Sequence, residues 1–167
     1  MTLYRYGPRF ESALGFASAS HFGQHRKGNG APYITHPLAV ASIVGCYGGD
    51  EDQAIAALLH DVMEDCGVPR EAIASRYGER VASIVEACTD STARPKPPWR
   101  ERKETHVSKV RTLPADHKLV VAADKLHNAQ SIVRDRQRPS VGEEVWKRFS
   151  ASRPEVLWYY RAMHDAL

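Results

Sequence analysis

Apolar positions recur at helical spacing along almost the whole chain. Near its start, Phe10, Ala13, Leu14 and Ala17 follow the i, i+3, i+4, i+7 pattern of an amphipathic helix. Glycine and proline residues interrupt the pattern at intervals, and we find no convincing strand, internal repeat or second domain. The pattern therefore predicts an all-α fold in a single domain over residues 1–167.

Capping residues and glycines set the expected ends of the helices. Asp50 and Gln53 have the spacing of a capping box, and we predict one continuous helix from there through His60 and Asp61 to Gly67. The other expected helices cover approximately residues 37–47, 70–77, 79–88, 99–113, 115–136, 142–150 and 154–167. Loops are expected at residues 27–31 and 91–98, which are rich in glycine or proline.

An imidazole and three carboxylates occur within six residues of the predicted helix after Asp50. On a helical wheel, His60, Asp61, Glu64 and Asp65 lie opposite the apolar face, which is typical of a solvated surface. The preceding turn argues against this interpretation, because its alanines make the supposedly exposed side apolar as well. A helix that is apolar all round is buried, so we expect the acids to emerge into an interior cleft.

The predicted long helix repeats this construction. Residues 119–123 are apolar all round, and Asp124 follows them, with Asn128 four positions later on the same side. Ser131 falls on that side too. A buried carboxylate needs a counter-charge. Lys125 is a candidate, although it lies about 100° round the helix from Asp124.

His36 precedes Pro37 and, taken alone, would be interpreted as a cap or a core histidine. The two polar segments change this interpretation, because buried imidazoles and carboxylates are costly unless a partner or a metal compensates them. The sequence suggests one metal ion held by His36, His60, Asp61 and Asp124, with spare acids beside it. Two imidazoles and two carboxylates suit Mn²⁺, while imidazole does not exclude Zn²⁺, Fe²⁺ or Ni²⁺.

Composition argues against several classes of protein. The chain has 23 basic and 20 acidic residues, and its net charge of +3 does not suggest a dedicated nucleic-acid binder. Its three scattered cysteines, Cys46, Cys66 and Cys88, indicate reduced thiols rather than a disulfide framework. Residues 1–15 lack the apolar core of a signal peptide, and no apolar run approaches the ~18 residues of a membrane span. We expect a soluble, cytoplasmic protein without nucleic-acid or membrane partners.

Three segments, in this order, resemble the HD superfamily of metal-dependent phosphohydrolases. They are Arg26-Lys27 with Ala31–Pro37, then Ala57–Asp65, then Ala123–Asn128. More narrowly, they resemble the hydrolase domain of the RelA/SpoT family and its free-standing members, the small alarmone hydrolases. The resemblance covers about residues 10–160 and implies an HD-type helical domain with a metal site between central helices. At 167 residues, we expect no synthetase or regulatory domain in this chain.

The resemblance also implies a role for each matching side chain. The family's metal ligands fall on His36, His60, Asp61 and Asp124, with Mn²⁺ as the metal. Its water-positioning acids fall on Glu64 and Asp65, and its nucleoside contacts fall on Arg26, Lys27 and Asn128. Ser131 stands where the family often has threonine. Serine keeps the hydroxyl that the threonine would place at the substrate site. The implied reaction removes the 3′-pyrophosphate from guanosine tetra- or pentaphosphate and leaves GDP or GTP.

Two other functions stay open at this point. One is an HD phosphohydrolase for another phosphorylated nucleotide such as NADPH, whose 2′-phosphate has been linked to family members. The other is a non-catalytic HD module that senses nucleotides or binds a partner. The Arg26-Lys27 loop argues against the first, and the presence of all expected ligands and both acids argues against the second. In each case a small nucleotide is the expected ligand, and formation of a homodimer is left open.

The remaining polar and aromatic residues have less specific patterns. The basic stretch at residues 94–103 would attract an anionic nucleotide, but we interpret most of its side chains as a solvated helix face. Lys147 and Arg148 are similar, weaker candidates. We interpret four aromatic residues as packing residues: Trp146, Trp158, Tyr159 and Tyr160. Five histidines without a spacing signal are interpreted as structural or exposed: His21, His25, His106, His117 and His164.

Overall fold

The computed structural model describes residues 6–167. The helical elements in this range, in chain order, are α1 (Pro8–Ser20), α2 (Thr35–Cys46), α3 (Glu51–Leu59), α4 (Val62–Cys66), α5 (Arg70–Tyr77), α6 (Glu79–Cys88), α7 (Trp99–Arg111), α8 (Ala115–Arg136), a 3₁₀ helix (Gly142–Arg148) and α9 (Arg153–Ala166). Apart from one antiparallel bridge between His25 and Pro32, the described range contains no β-structure. The all-α prediction is confirmed.

Several helix ends are made by the residues that the sequence indicated. The Asp50 carboxylate accepts from the Gln53 N–H at 3.0 Å, and the Gln53 side chain accepts from the Asp50 N–H at 2.9 Å. These two bonds form the reciprocal capping box at the start of α3. Gly67 ends α4 in the left-handed region, with φ of 69°. The bounds of α8, Ala115 and Arg136, are those that the pattern predicted.

The segment around His60 and Asp61 is interrupted, whereas we predicted one continuous helix. α3 ends at Leu59 and α4 begins at Val62, so His60 and Asp61 form a turn between the two helices. We attribute the interruption to the His60 imidazole, whose Nδ1 donates to the carbonyl of Ala57 at 2.8 Å. In a continuous helix that carbonyl would pair with the N–H of Asp61. The prediction was wrong because a side chain competes with the backbone for this acceptor.

Helix α3 is the central element of the core. All its residues from Gln53 to Leu59 are buried, and it packs against α1, α2, α6 and α8. The interpretation of this helix as half-exposed is therefore wrong. The burial on all sides that its alanines predicted is confirmed. Helices α2 and α8 also pack against each other. They can thus carry side chains to the end of α3, where His60 and Asp61 lie.

The rest of the described chain follows the pattern with smaller differences. The segment predicted as a helix at residues 142–150 is a 3₁₀ helix that ends at Arg148, and α7 ends at Arg111, two residues before its predicted end. Residues 27–31 and 91–98 are loops, as predicted. None of the helices in residues 6–167 is long and apolar enough to cross a membrane.

Two predictions extend to residues 1–5, which lie outside the described residues. These are the single domain over residues 1–167 and the lack of a signal-peptide core in residues 1–15. Both stay predictions. The three cysteines, Cys46, Cys66 and Cys88, are free thiols.

Candidate metal centre and active-site cavity

Three regions of the fold bring four polar side chains to one position. His36 lies in the first turn of α2, His60 and Asp61 form the turn between α3 and α4, and Asp124 lies midway along α8. The Nε2 atoms of His36 and His60 are 3.1 Å apart. One ligand atom each from His36, His60 and Asp124 lies within 4.8 Å of the others, and all three residues are buried.

The carboxylates of Asp61 and Asp124 face both imidazoles. Asp61 Oδ2 is 2.9 Å from His60 Nε2 and 3.6 Å from His36 Nε2. Asp124 Oδ1 is 3.1 Å from His36 Nε2 and 3.6 Å from His60 Nε2. The structure therefore brings together all four residues that the sequence predicted as metal ligands. We call these four residues the His-Asp cluster.

Each imidazole of the His-Asp cluster is also held through its second ring nitrogen. His60 Nδ1 donates to the Ala57 carbonyl, so the neutral ring presents the lone pair of Nε2 to the cluster. His36 Nδ1 lies 2.7 Å from Nδ1 of His127. Outer contacts of this kind fix the orientation of a histidine ligand. We did not single out His127 in the sequence, because the residue that it contacts is 91 positions away.

The two carboxylates of the cluster have outer contacts of their own. The Tyr33 hydroxyl donates to Asp61 Oδ2 at 2.6 Å. On Asp124, the Asn128 amide donates to Oδ1, and the Lys125 ammonium donates to Oδ2 at 2.7 Å. Lys125 thus supplies the counter-charge that a buried carboxylate needs. Its side chain is long enough to reach the Asp124 carboxylate despite the rotation of about 100° between consecutive residues of a helix.

Burial and mutual contact compete in setting the charges of the cluster. Burial lowers the pKa of His36. Burial also opposes a charge on His60, but the carboxylates of Asp61 and Asp124 raise its pKa to about 9. Although burial opposes ionisation of the two carboxyls, contact with His60 lowers the pKa of Asp61, and Lys125 and His36 lower that of Asp124. Both carboxylates are therefore ionised at neutral pH.

This donor set fits a divalent cation. Imidazole nitrogens and ionised carboxylate oxygens are the ligands that first-row divalent ions take. His60 can offer Nε2 because Nδ1 holds the ring proton against the backbone, and both carboxylates already carry their negative charges. A cation would take the place of the proton that His60 otherwise shares with Asp61. That the four residues act as ligands stays a prediction.

A cavity of about 750 Å³ lies beside the cluster. Its wall includes Tyr33, Lys125 and Asn128, which contact the two cluster carboxylates. Seven cationic side chains line it: Arg26, Lys27, Lys96, Arg102, Lys103, Lys125 and Arg148. Three carboxylates line it: Glu64, Asp65 and Asp135. The volume suits a small-molecule ligand, and the excess of positive charge favours an anionic one.

Comparison with known proteins places this site in a family. The model of the HD domain family matches residues 13–156. The guanosine-3′,5′-bis(diphosphate) 3′-pyrophosphohydrolase MESH1 of Xenopus tropicalis is 41% identical over 125 residues, which are 73% of this chain and 68% of that protein. The chain belongs to the HD-domain family.

Other relatives of this HD domain are bacterial or known by structure. A guanosine-3′,5′-bis(diphosphate) 3′-pyrophosphohydrolase of Aquifex aeolicus is 33% identical over 84% of this chain, but the match spans only 20% of that protein. A solved structure described as a metazoan ortholog of SpoT that hydrolyses ppGpp has a TM-score of 0.80 and 26% identity, covering 99% of this chain and 88% of that one. A crystal structure from Listeria monocytogenes has a TM-score of 0.70 and 32% identity, covering 78% and 82%. The HD-type fold predicted from the motifs is confirmed.

The predicted acid pair of the HD domain lies at the cavity wall in two different environments. Glu64 Oε1 accepts from Lys96 Nζ at 2.6 Å, and Oε2 accepts from the N–H of Asp90 at 3.3 Å. Burial raises the pKa of Asp65, and the charges of Asp61 and Glu64 add to this effect. Glu64 is therefore anchored through both of its oxygens, whereas Asp65 holds a proton more readily than an ordinary aspartate. Their catalytic roles stay predictions.

The four residues predicted to bind substrate all line the cavity of the HD domain: Arg26, Lys27, Asn128 and Ser131. Arg26 Nη2 donates to Asn128 Oδ1 at 2.8 Å, and the guanidinium carbon is 5.6 Å from the centroid of the Tyr33 ring. Two segments that are 102 positions apart are thus joined at the cavity wall. Contact of these side chains with a nucleoside stays a prediction.

The basic stretch at residues 94–103 is only partly a solvated face. The side chains of Arg102 and Lys103 are 13% and 18% exposed, and both pair with Asp90, whose side chain is 3% exposed. They line the cavity, so our interpretation is wrong for these two residues. Arg100 is exposed, as expected. The pattern of α7 could not show this difference, because Asp90 lies in the loop before that helix.

Some residues that we set aside in the sequence also line the HD cavity. Tyr159 and Tyr160, which we interpreted as packing residues, contribute to its wall, as does His25. Arg148 pairs with Asp135 at 2.6 Å across the wall. The positions of Tyr159, Tyr160 and Arg148 depend on the docking of the C-terminal elements, which local spacing does not reveal.

Proposed function

We propose that this HD-domain protein is a metal-dependent guanosine-3′,5′-bis(diphosphate) 3′-pyrophosphohydrolase. The observation that carries the proposal is the His-Asp cluster beside a cavity lined mainly by cationic side chains. The activity is the one that the names of the Xenopus tropicalis and Aquifex aeolicus relatives state. The substrate loses its 3′-diphosphate as pyrophosphate, which leaves GDP from the tetraphosphate and GTP from the pentaphosphate.

Mn²⁺ is the metal that we propose for the His-Asp cluster. His36 and His60 would hold it through Nε2, and Asp61 and Asp124 through their carboxylates. Carboxylate ligands favour Mn²⁺, while the two imidazoles also suit Zn²⁺, Fe²⁺ or Ni²⁺. When bound, the ion supplies Lewis-acid polarisation of a phosphoryl oxygen.

The acid pair handles the protons of the reaction in this proposal. A water oxygen forms a bond to the phosphorus that carries the ribose 3′ oxygen, and the bond between that phosphorus and O3′ breaks. Glu64, anchored by Lys96, orients the water and accepts its proton. Asp65, whose pKa is raised by burial, is the acid that we assign to deliver a proton to O3′. Acid–base assistance of this kind typically contributes roughly 10²–10⁴-fold to the rate.

The nucleoside and its phosphates would lie along the cationic wall. Arg26 is oriented by Asn128 before substrate arrives, so its planar guanidinium is ready to stack on guanine. Lys27 provides a point charge for phosphate, and Ser131 provides a hydroxyl for hydrogen bonding. The other cations of the wall balance the charge of the two diphosphate groups.

The test is product analysis by chromatography after incubation with guanosine tetraphosphate. With Mn²⁺ present, we expect GDP and pyrophosphate to appear in equal amounts, and with a chelator we expect neither. Release of orthophosphate instead of pyrophosphate would contradict the assigned bond cleavage. A lack of any product at saturating Mn²⁺, with the nucleotide tightly bound, would show a nucleotide sensor instead.

NADPH serves as the competing substrate in the same assay. Both nucleotides present a ribose-linked phosphate, so a metal site alone does not distinguish them. We expect pyrophosphate release from guanosine tetraphosphate to be faster than phosphate release from NADPH, because the two diphosphate groups of the former carry more negative charge to the cationic wall. The reverse order would identify a phosphatase of another nucleotide.

We also propose that the enzyme works in the cytoplasm. Its three cysteines are free, and free thiols persist in reducing compartments. Fractionation of cells followed by immunodetection would test the location, and recovery of the protein outside the cytoplasmic fraction would contradict it.

A further inference from the structure

His127 lies on α8, three positions after Asp124, and contacts a residue of the His-Asp cluster. Its ring lies edge to edge with that of His36, with a centroid distance of 4.9 Å and an interplanar angle of 23°. The Nδ1 atoms of the two rings are 2.7 Å apart, which is a hydrogen-bond distance. One of these two nitrogens must therefore carry a hydrogen, and the other must accept it.

The proposed role of His36 as a metal ligand decides which ring donates. Its Nε2 is the atom that faces His60 Nε2 at 3.1 Å and Asp124 Oδ1 at 3.1 Å. A neutral imidazole can offer a lone pair at Nε2 only when its hydrogen is on Nδ1. His36 Nδ1 then donates, and His127 Nδ1 accepts. A ring with a hydrogen on Nδ1 in place of His127 could not complete this bond.

The same requirement is met differently for the second imidazole of the cluster. His60 donates from Nδ1 to the carbonyl of Ala57, which is three residues earlier in its own chain segment. His36 has its Nδ1 partner on another helix, 91 positions away. Packing of α2 against α8 is therefore needed to orient His36, whereas the orientation of His60 is local.

We propose that His127 is a positioning residue that fixes the tautomer and ring plane of His36 for metal binding. The inference rests on the proposed metal-dependent function. A histidine acceptor replaces the carboxylate or carbonyl that more often lies behind a histidine ligand. Because the two rings meet edge to edge and are within 23° of coplanar, an acceptor at His127 favours one orientation of the His36 ring plane.

The test compares two substitutions of His127 that differ in one property. His127→Phe keeps an aromatic ring beside His36 but has no acceptor. His127→Asn loses the ring and places an amide oxygen near the position of Nδ1. We expect the Phe variant to bind Mn²⁺ about 10–100-fold more weakly than the wild type, as is typical for loss of an outer contact to a ligand. The Asn variant should bind more tightly than the Phe variant.

The measurement is calorimetric titration of Mn²⁺ into the metal-free full-length protein. His164→Phe is the matched control, because it makes the same change at an exposed histidine on α9, and we expect wild-type affinity for it. Thermal unfolding of each metal-free variant shows whether it folds. If the Phe variant is too unstable to fold, the Asn variant is compared with His127→Gln. The amide oxygen of Gln extends past the Nδ1 position, so the Asn variant should bind Mn²⁺ more tightly than the Gln variant.

Two results would overturn the inference. One is wild-type Mn²⁺ affinity in His127→Phe. The other is an equal loss of affinity in the Phe and Asn variants, which would show that the acceptor has no part in binding. Failure of the proposed function looks different, because the wild-type protein itself would then bind no Mn²⁺ or release no pyrophosphate.

Discussion

At the scale of single residues, Asp61 and Glu64 are three positions apart but belong to different parts of the site. An oxygen of Asp61 faces the Nε2 atoms of both histidines. Glu64 is held by Lys96 and by the backbone of Asp90, which both lie in the segment between α6 and α7. Substitution of these two acids should therefore affect different steps.

We predict that Asp61→Ala loses Mn²⁺ binding and hydrolysis together, because the change removes a carboxylate that faces both imidazoles. Glu64→Ala should keep Mn²⁺ affinity but lose turnover by roughly 10²–10⁴-fold, the usual contribution of an acid or base. Calorimetric titration gives the affinity, and steady-state pyrophosphate release gives kcat. Glu144→Ala, at an exposed acid paired with Lys147, is the control for general effects. A wild-type kcat in Glu64→Ala would remove this residue from the mechanism.

At the scale of elements, one buried histidine joins three helices. His106 of α7 lies 3.2 Å from the carbonyl of Ala87 on α6 and 3.3 Å from the hydroxyl of Tyr159 on α9. The neutral ring satisfies both contacts, since Nε2 donates to the carbonyl and Nδ1 accepts from the hydroxyl. Burial, with Lys125 and Lys103 adding to it, lowers the pKa of His106 to about 3.

This depressed pKa makes the packing of α6, α7 and α9 sensitive to acid. The unfolded chain binds a proton at His106 below its ordinary pKa of 6.5, whereas the folded protein does not until about pH 3. Neutral, buried His106 therefore contributes its full stabilisation above pH 6.5. As the pH falls from 6.5 towards 3, protonation of the unfolded chain lowers the free energy of unfolding. We expect His106 to reduce the free energy of unfolding by about 2 kcal/mol between pH 7 and pH 5.

Urea unfolding of the wild type and of His106→Gln at both pH values measures this effect. Gln keeps a donor for the Ala87 carbonyl but does not titrate, so the loss of stability between pH 7 and pH 5 should be smaller in the variant by that amount. An equal loss in the two proteins would show that His106 takes up its proton in the folded state as well.

The elements also show what local sequence can and cannot determine. The capping box of Asp50 and Gln53 and the end of α4 at Gly67 were predictable, because each depends on residues within one turn. The interruption at His60 and Asp61 was not, because it depends on an imidazole that replaces a backbone donor at Ala57. Helix periodicity describes apolar faces and contains no information on that competition.

At the scale of the whole molecule, a net charge of only +3 is distributed unevenly. The cavity wall has seven cationic side chains and three carboxylates. We predicted the meeting of the four cluster residues from three distant motifs, but not the burial of Lys103 against Asp90 nor the contact of His127 with His36. Those contacts depend on how the loop at residues 91–98 and the helices dock, which only the folded chain defines.

The uneven charge predicts a dependence of substrate capture on salt. Raising KCl from about 0.05 M to about 0.3 M shortens the range of electrostatic attraction. We expect kcat/KM for guanosine tetraphosphate to fall several-fold, mainly through KM, while kcat at saturating substrate changes little. Initial rates of pyrophosphate release at fixed Mn²⁺ provide the measurement. A kcat/KM that is independent of salt would mean that the paired cations of the wall exert no net attraction.

The alanines at 54, 56 and 57 affect how closely the side chains of the His-Asp cluster are spaced. They are completely inaccessible to solvent in a helix that touches four others. Side chains one carbon long let those neighbours approach closely, and a well-packed interior transmits displacement rather than absorbing it. An isoleucine or leucine at any of the three would push neighbouring helices outward and could shift the donors that α2 and α8 contribute. Three buried methyl groups thus help to set the distances between the histidines and aspartates.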